Sequence, residues 1–145
     1  MKKRTTVFVL IIVLIFLILS TALMFLKNSC YYQMHQLKTH AYLDQETCNI
    51  AGRPLKFSIE NTGDDDLLQY GFVLAAYSRA EQDRVSHDAY TMHRRILKGS
   101  SIEGCFPVPE MEALPLTMVK EKFYFKLKLF IAVFDQGDGN RRTCR

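Results

Sequence analysis

The stretch FYFKLKLFIAVF, residues 123–134, is the longest strand that the sequence predicts, and it decides the fold class. One of its faces is apolar at every second position: Phe123, Phe125, Leu127, Leu129, Ile131 and Val133. The other face is polar at its start and apolar later: Tyr124, Lys126, Lys128, Phe130, Ala132 and Phe134. A period of two is typical of a β-strand with one buried face. The stretch therefore predicts a core strand whose second face carries cations and aromatic rings.

Two stretches upstream have the same period. Leu55, Phe57 and Ile59 alternate with polar residues, and the turn sequence NTGDDD at residues 61–66 ends that strand. A second apolar face follows: Tyr70, Phe72, Leu74 and Ala76. Downstream, Asp138-Gly139 is a hairpin signal, after which residues 141–145 pair back. About six or seven short strands without a convincing amphipathic helix predict a mainly β fold, a β-sandwich.

The C-terminal segment FKLKLFIAVFDQGDGNRRTCR, residues 125–145, resembles the F–G hairpin of immunoglobulin and fibronectin type III domains. This resemblance implies two packed antiparallel sheets in which the first and last strands end close together. The residues themselves carry this resemblance in the last quarter of the domain. Over the rest of the domain, only the number of predicted strands agrees.

Four cysteines, Cys30, Cys48, Cys105 and Cys144, lie after the N-terminal apolar run. An even number in an exported segment predicts two disulfides formed in an oxidising compartment. Four cysteines allow three connectivities. The sandwich that the resemblance implies favours Cys48–Cys105 within the domain and Cys30–Cys144 between the N-terminal stalk and the C-terminus.

Residues 7–26, VFVLIIVLIFLILSTALMFL, form an unbroken apolar run. At about 1.5 Å per residue a helix of this length rises roughly 30 Å, which predicts one transmembrane helix. Three cations before the run and one after it predict a cytoplasmic N-terminus: Lys2, Lys3, Arg4 and Lys27. The alternative is a cleaved signal peptide with a site at Ser20-Thr21-Ala22. The run continues through Leu26, which favours a retained anchor.

The domain prediction follows from these boundaries. It comprises a cytoplasmic tail at residues 1–6, a transmembrane helix at 7–26, a stalk at 27–46 and an extracytoplasmic β-sandwich at 47–145. The predicted location is the inner membrane, crossed once, with the C-terminal domain in the periplasm or outside the cell. The membrane and one protein of an envelope complex are the predicted partners.

Charge and motifs exclude several classes of function. Without Lys2, Lys3 and Arg4 the chain carries 16 Lys and Arg against 15 Asp and Glu, so its net charge of +1 gives no reason to expect nucleic acid. No nucleophile elbow, zinc-protease helix, phosphate loop or nucleotide fingerprint occurs in the sequence. We therefore predict a protein that is not an enzyme and has no cofactor.

Two short motifs of the form Y-x-M-H, at residues 32–35 and 90–93, suggest a metal site as the alternative function. Their candidate ligands are Met34, His35, Met92 and His93, which suit copper in an oxidising compartment. If residues 90–93 are extended, Met92 and His93 point to opposite faces and do not chelate together. A copper-handling accessory protein is thus the alternative to a binding module.

The candidate partner-binding residues lie on the second face of the longest strand: Tyr124, Lys126, Lys128 and Phe130. The apolar part of this face is expected to be covered either by residues 110–116 of this chain or by another protein. Lys126 and Lys128 form either a basic strip that faces a partner or an ordinary solvent-facing surface. Strand addition at a sheet edge is a second available mode of association. The sequence therefore predicts a non-catalytic binding or assembly module of a cell-envelope complex, with a bacterial periplasm as its compartment.

Overall fold

The structure, a computed structural model, describes residues 2–27, 29–48, 53–108, 114–137 and 139–145. Within the N-terminal helix, side chains are described for residues 11–26. The elements, in chain order, are α1 Lys2–Lys27, α2 Cys30–His35, β1 Leu37–Leu43, β2 Leu55–Asn61, β3 Asp66–Ser78, β4 Arg84–Met92, β5 Ser101–Phe106, α3 Leu116–Lys122, β6 Phe123–Asp135 and β7 Arg141–Cys144.

The seven strands form two antiparallel sheets, as the sequence predicts for a mainly β chain. A three-stranded sheet has the order β1-β2-β5, and a four-stranded sheet has the order β4-β3-β6-β7. Their apolar faces share one buried core, which makes the pair of sheets a β-sandwich.

The core is built by the alternating residues of β2 and β3. Leu55, Phe57 and Ile59 are buried on one sheet, and Tyr70 and Phe72 are buried on the other. Phe57 and Phe72 stack across the interface with ring centroids 5.3 Å apart. Each such side chain contributes about 1.5–3 kcal/mol by leaving water. The predicted inward faces of β2 and β3 are confirmed.

A β-bulge changes which face of β6 is buried. Leu129 pairs with Phe72 and Ile131 with Gly71, so Phe130 is an extra residue between them. Beyond it, Ala132 and Phe134 face the core and are buried. The prediction of one continuous apolar face from Phe123 to Val133 is wrong past Leu129, because an inserted residue sends every later side chain to the opposite face.

The transmembrane helix predicted for residues 7–26 is contradicted. In the part of the chain that the structure describes, no helix combines the length and the apolar character needed to cross a bilayer. The side chains of Lys2, Lys3 and Arg4, on which the predicted orientation depends, lie outside the described part.

The segment expected to be a stalk, residues 27–46, contains ordered elements. Ser29 caps α2, since its hydroxyl accepts a hydrogen bond from the backbone N–H of Tyr32 at 3.2 Å. β1 then pairs with β2 along its full length, from Leu37 opposite Asn61 to Leu43 opposite Leu55. The sandwich therefore begins before residue 47.

The disulfides have the connectivity that the resemblance favours. Cys30 is bonded to Cys144 and Cys48 to Cys105, with Cα atoms 5.2 and 5.6 Å apart. The first bond joins α2 to the end of β7, and the second joins the segment after β1 to β5. The predicted closing strand is confirmed as β7, although Asp138 of its turn lies outside the described residues.

Acid is expected to weaken the contact between the start of β3 and the segment before β5. The carboxylate of Asp66 accepts hydrogen bonds from the Lys98 backbone N–H at 2.9 Å and from Arg95 Nε at 3.1 Å. These two partners, in that order, lower the pKa of Asp66 below its usual 3.8. Because the folded pKa is depressed, the stabilisation is present above pH 4 and is lost as the pH falls through the folded pKa.

Chemical denaturation between about pH 2 and pH 7 tests this expectation. Asp66→Asn is expected to flatten the acid limb of the stability profile relative to the wild type. Asp83→Asn, the same change at an exposed aspartate in the turn between β3 and β4, is the control. Superimposable acid limbs for wild type and Asp66→Asn contradict the assignment.

Candidate functional site

The outer face of the four-stranded sheet carries a groove of about 620 Å³, here called the basic–aromatic groove. Its floor and rim come from β3, β4 and β6: Val73, Ala75, Tyr77, Arg84, Lys126, Lys128 and Phe130. One wall comes from β1 through Thr39, His40 and Ala41. Three of the four predicted partner-binding residues line it directly, and the fourth, Tyr124, packs against Tyr77.

The register between β3 and β6 brings these side chains together. Ala75 lies opposite Lys126 and Val73 opposite Lys128, so each long cationic side chain stands beside a short apolar one. Directly opposed side chains on one face of an antiparallel pair are close neighbours. The floor of the groove is therefore apolar and shallow, and its charges stand above it.

Two tyrosines hold one of the lysines in place. The rings of Tyr77 and Tyr124 stack with centroids 5.3 Å apart and planes 17° apart. The ammonium Nζ of Lys126 lies 5.2 Å from the Tyr77 centroid and 5.3 Å from the Tyr124 centroid. A cation over the electron-rich face of an aromatic ring is attracted to it. Lys126 is thus positioned before any ligand arrives.

The bulge in β6 supplies the aromatic end of the groove. The Phe130 ring lies over Gly71, where a Cβ atom would approach Phe130 Cζ to 2.6 Å. Gly71 therefore leaves the space that this ring occupies. Phe130 remains 43% exposed, so its ring presents an apolar surface to the groove.

The wall from β1 is tied to the floor by one hydrogen bond. Thr39 Oγ1 donates to the carbonyl oxygen of Leu127 at 3.1 Å. β7 pairs only with residues 132–135 of β6, so the earlier part of this β6 edge is open to β1. The groove consequently lies where β1 and the uncovered edge of β6 meet.

The charges of the groove have one sign. Lys126, Lys128 and Arg84 contribute positive charges, and no described residue that lines the groove is acidic. Among the residues that the structure describes, ion pairs lie elsewhere and none involves these three cations. An unneutralised cluster of cations over an apolar floor favours an anionic ligand that also has apolar groups.

Three of the four candidate metal ligands make other contacts in the described structure. Met34 on α2 and Met92 at the end of β4 pack against the hydrophobic core. The ring of His35 meets the Tyr31 ring edge to face at 4.3 Å. His93 follows the last residue of β4. Within the described ranges, no group of three or more His, Cys, Asp or Glu side chains is placed to hold a metal ion.

The sequence pattern does not identify Tyr77 or Arg84 as candidate binding residues. Alternation along β3 places Tyr77 on the outer face, but its pairing with Tyr124 depends on a strand register that is set by tertiary contacts. Arg84 lies opposite Tyr77 at a register shift between β3 and β4. A single sequence carries no direct signal for either pairing.

Comparisons with known proteins identify no relative of this chain. The chain matches no protein family model, no curated protein and no solved structure. The resemblance to immunoglobulin and fibronectin type III domains therefore stays a prediction.

Proposed function

We propose that this chain is a non-catalytic binding module of a bacterial cell-envelope assembly, and that it binds a partner protein through the basic–aromatic groove. The observation that carries the proposal is the cluster of unpaired cations, Lys126, Lys128 and Arg84, beside the exposed ring of Phe130. The partner segment is expected to carry acidic residues, followed by an apolar residue that contacts Phe130.

The spacing of the lysines favours an extended partner segment. Lys126 and Lys128 lie two residues apart on one strand, and alternate side chains of a strand are separated by about 6.6 Å. An extended peptide with carboxylates at alternate positions has the same repeat. Its next apolar side chain on that face reaches the Phe130 end of the groove.

The two disulfides support an exported compartment for the domain. Both cysteine pairs are bonded, and no described cysteine is free. Disulfides of this kind persist in the periplasm and outside the cell, whereas the cytosol keeps thiols reduced. The proposed location is therefore the periplasm, or the cell exterior.

Charge reversal in the groove is expected to weaken binding of an acidic peptide. The probe is a fluorescently labelled peptide with glutamates at alternate positions followed by phenylalanine, titrated against the purified full chain. Lys126→Glu with Lys128→Glu is expected to weaken binding at least tenfold, because both attractive contacts become repulsive. Added salt is expected to weaken wild-type binding as well.

The matched control is Lys120→Glu with Lys122→Glu. These lysines are also two positions apart in the sequence, and they are exposed on α3, outside the groove. They are expected to leave the affinity within about twofold of the wild type. Equal loss in both double variants, or no saturable binding by the wild type, overturns the proposal. Site-specific crosslinking from Phe130 in native cells then identifies the partner.

A further inference from the structure

A second concave site lies on another side of the sandwich, between its two sheets. The edge strands β4 and β5 belong to different sheets, and Tyr90 of β4 meets Phe106 of β5 with ring centroids 4.3 Å apart. A space of about 390 Å³ opens beside this contact, here called the inter-sheet crevice. Its volume falls within the range of small-molecule sites.

The floor of the inter-sheet crevice is aromatic. Phe106 contacts Phe57 at a centroid distance of 5.1 Å, and both rings line the space together with Tyr90. Gly104 lies opposite Phe57 in the three-stranded sheet, and a Cβ atom there would overlap the Phe57 ring. Because position 104 has no side chain, the ring lies flat against the strand and the crevice stays open beside it.

The rim of the crevice is cationic. Arg53 and Arg94 both line it, and both are exposed. The one acidic side chain in its described lining, Glu103, is paired with Lys56 at 2.9 Å. Two positive charges at the entrance to an aromatic cavity are left without a neutralising partner in that lining.

The core also contains a buried hydroxyl, which lies outside the lining of the inter-sheet crevice. Tyr70 is fully buried, and its hydroxyl has no hydrogen-bond partner among the described residues. Burial raises the pKa of Tyr70, and the positive charge of Arg94 acts against that rise. The phenol is therefore protonated at neutral pH.

We propose that the inter-sheet crevice binds an organic monoanion with an aromatic body, such as an aromatic carboxylate. The ring enters beside Tyr90 and Phe106, where aromatic pairs gain more than their buried area alone provides. The carboxylate stays at the rim and accepts charge-assisted hydrogen bonds from Arg53 and Arg94. This site is distinct from the basic–aromatic groove and does not depend on the function proposed for that groove.

Fluorine NMR on the purified full chain tests this site with two probes of equal shape. Fluorinated naphthoate carries one negative charge, and fluorinated naphthamide is its neutral counterpart. The naphthoate signal is expected to broaden and shift saturably, with an affinity at least tenfold higher than that of the amide. Replacement of Arg53 and Arg94 together by glutamine is expected to remove that preference, so naphthoate affinity falls at least tenfold.

The control is Arg141→Gln with Arg145→Gln, which changes two exposed arginines at the C-terminus by the same chemistry. This variant is expected to bind naphthoate as the wild type does. The four arginines are all exposed, so both double variants are expected to fold. Equal affinity for naphthoate and naphthamide, or unchanged naphthoate binding in Arg53→Gln with Arg94→Gln, overturns the proposal.

Discussion

Replacing Cys30 and Cys144 together by alanine is expected to lower the free energy of unfolding by about 4–5 kcal/mol. This disulfide joins residues 114 positions apart and so removes much of the conformational freedom of the unfolded chain. Loss of the bond restores that freedom, which favours unfolding. Urea denaturation of the oxidised wild type and of the variant, under the same conditions, measures the difference.

The second disulfide is a matched control of a different loop length. Cys48 and Cys105 are 57 positions apart, half the other separation. Halving a loop changes the closure entropy by only about 0.6 kcal/mol. Alanine at both of these positions is therefore expected to cost nearly as much, and slightly less. A cost below about 1 kcal/mol for the Cys30–Cys144 pair contradicts the chain-entropy account.

Phe72→Ala is expected to lower the free energy of unfolding by about 3–5 kcal/mol. Phe72 is fully buried on β3, and its ring centroid lies within 6.3 Å of four other aromatic rings: Phe57, Tyr70, Tyr90 and Phe106. Truncation leaves a cavity between the sheets that the neighbouring rings fill only in part. Thermal and urea unfolding measure the effect.

Phe130→Ala makes the same chemical change on the opposite face of the same sheet. Because Phe130 is 43% exposed, its truncation is expected to cost less than about 1 kcal/mol of stability. It is nevertheless expected to weaken binding of the acidic peptide, since the apolar end of the basic–aromatic groove is lost. A stability cost equal to that of Phe72→Ala contradicts the assignment of Phe130 to a binding surface.

Period-two patterns predicted the strands whose registers are regular. The inward faces of β2 and β3 follow from Leu55, Phe57 and Ile59 and from the alternation around Phe72, because burial on one side enforces the pattern. The same reasoning placed Lys126 and Lys128 together on the outer face. Strand β1, residues 37–43, alternates in burial within the polar segment for which the sequence predicts a stalk.

Other features depend on contacts that local patterns do not carry. The bulge at Phe130 is set by the pairing of β6 with β3, and it reverses the faces of Ala132 and Phe134. The inter-sheet crevice joins Arg53 and Arg94 through a packing of two sheets that no sequence window contains. The transmembrane prediction rested on the apolar run at residues 7–26, whereas no helix in the described part of the chain is long and apolar enough to cross a bilayer.

The bond between Cys30 and Cys144 has a mechanical consequence. A pull exerted on α1 enters the domain at Cys30 and passes through sulfur directly into β7. Tension between the two ends of the chain is thus borne by this disulfide, and the strands between Cys30 and Cys144 carry little of the load. Under reducing conditions the same pull would pass through α2 to β1 and peel β1 from β2.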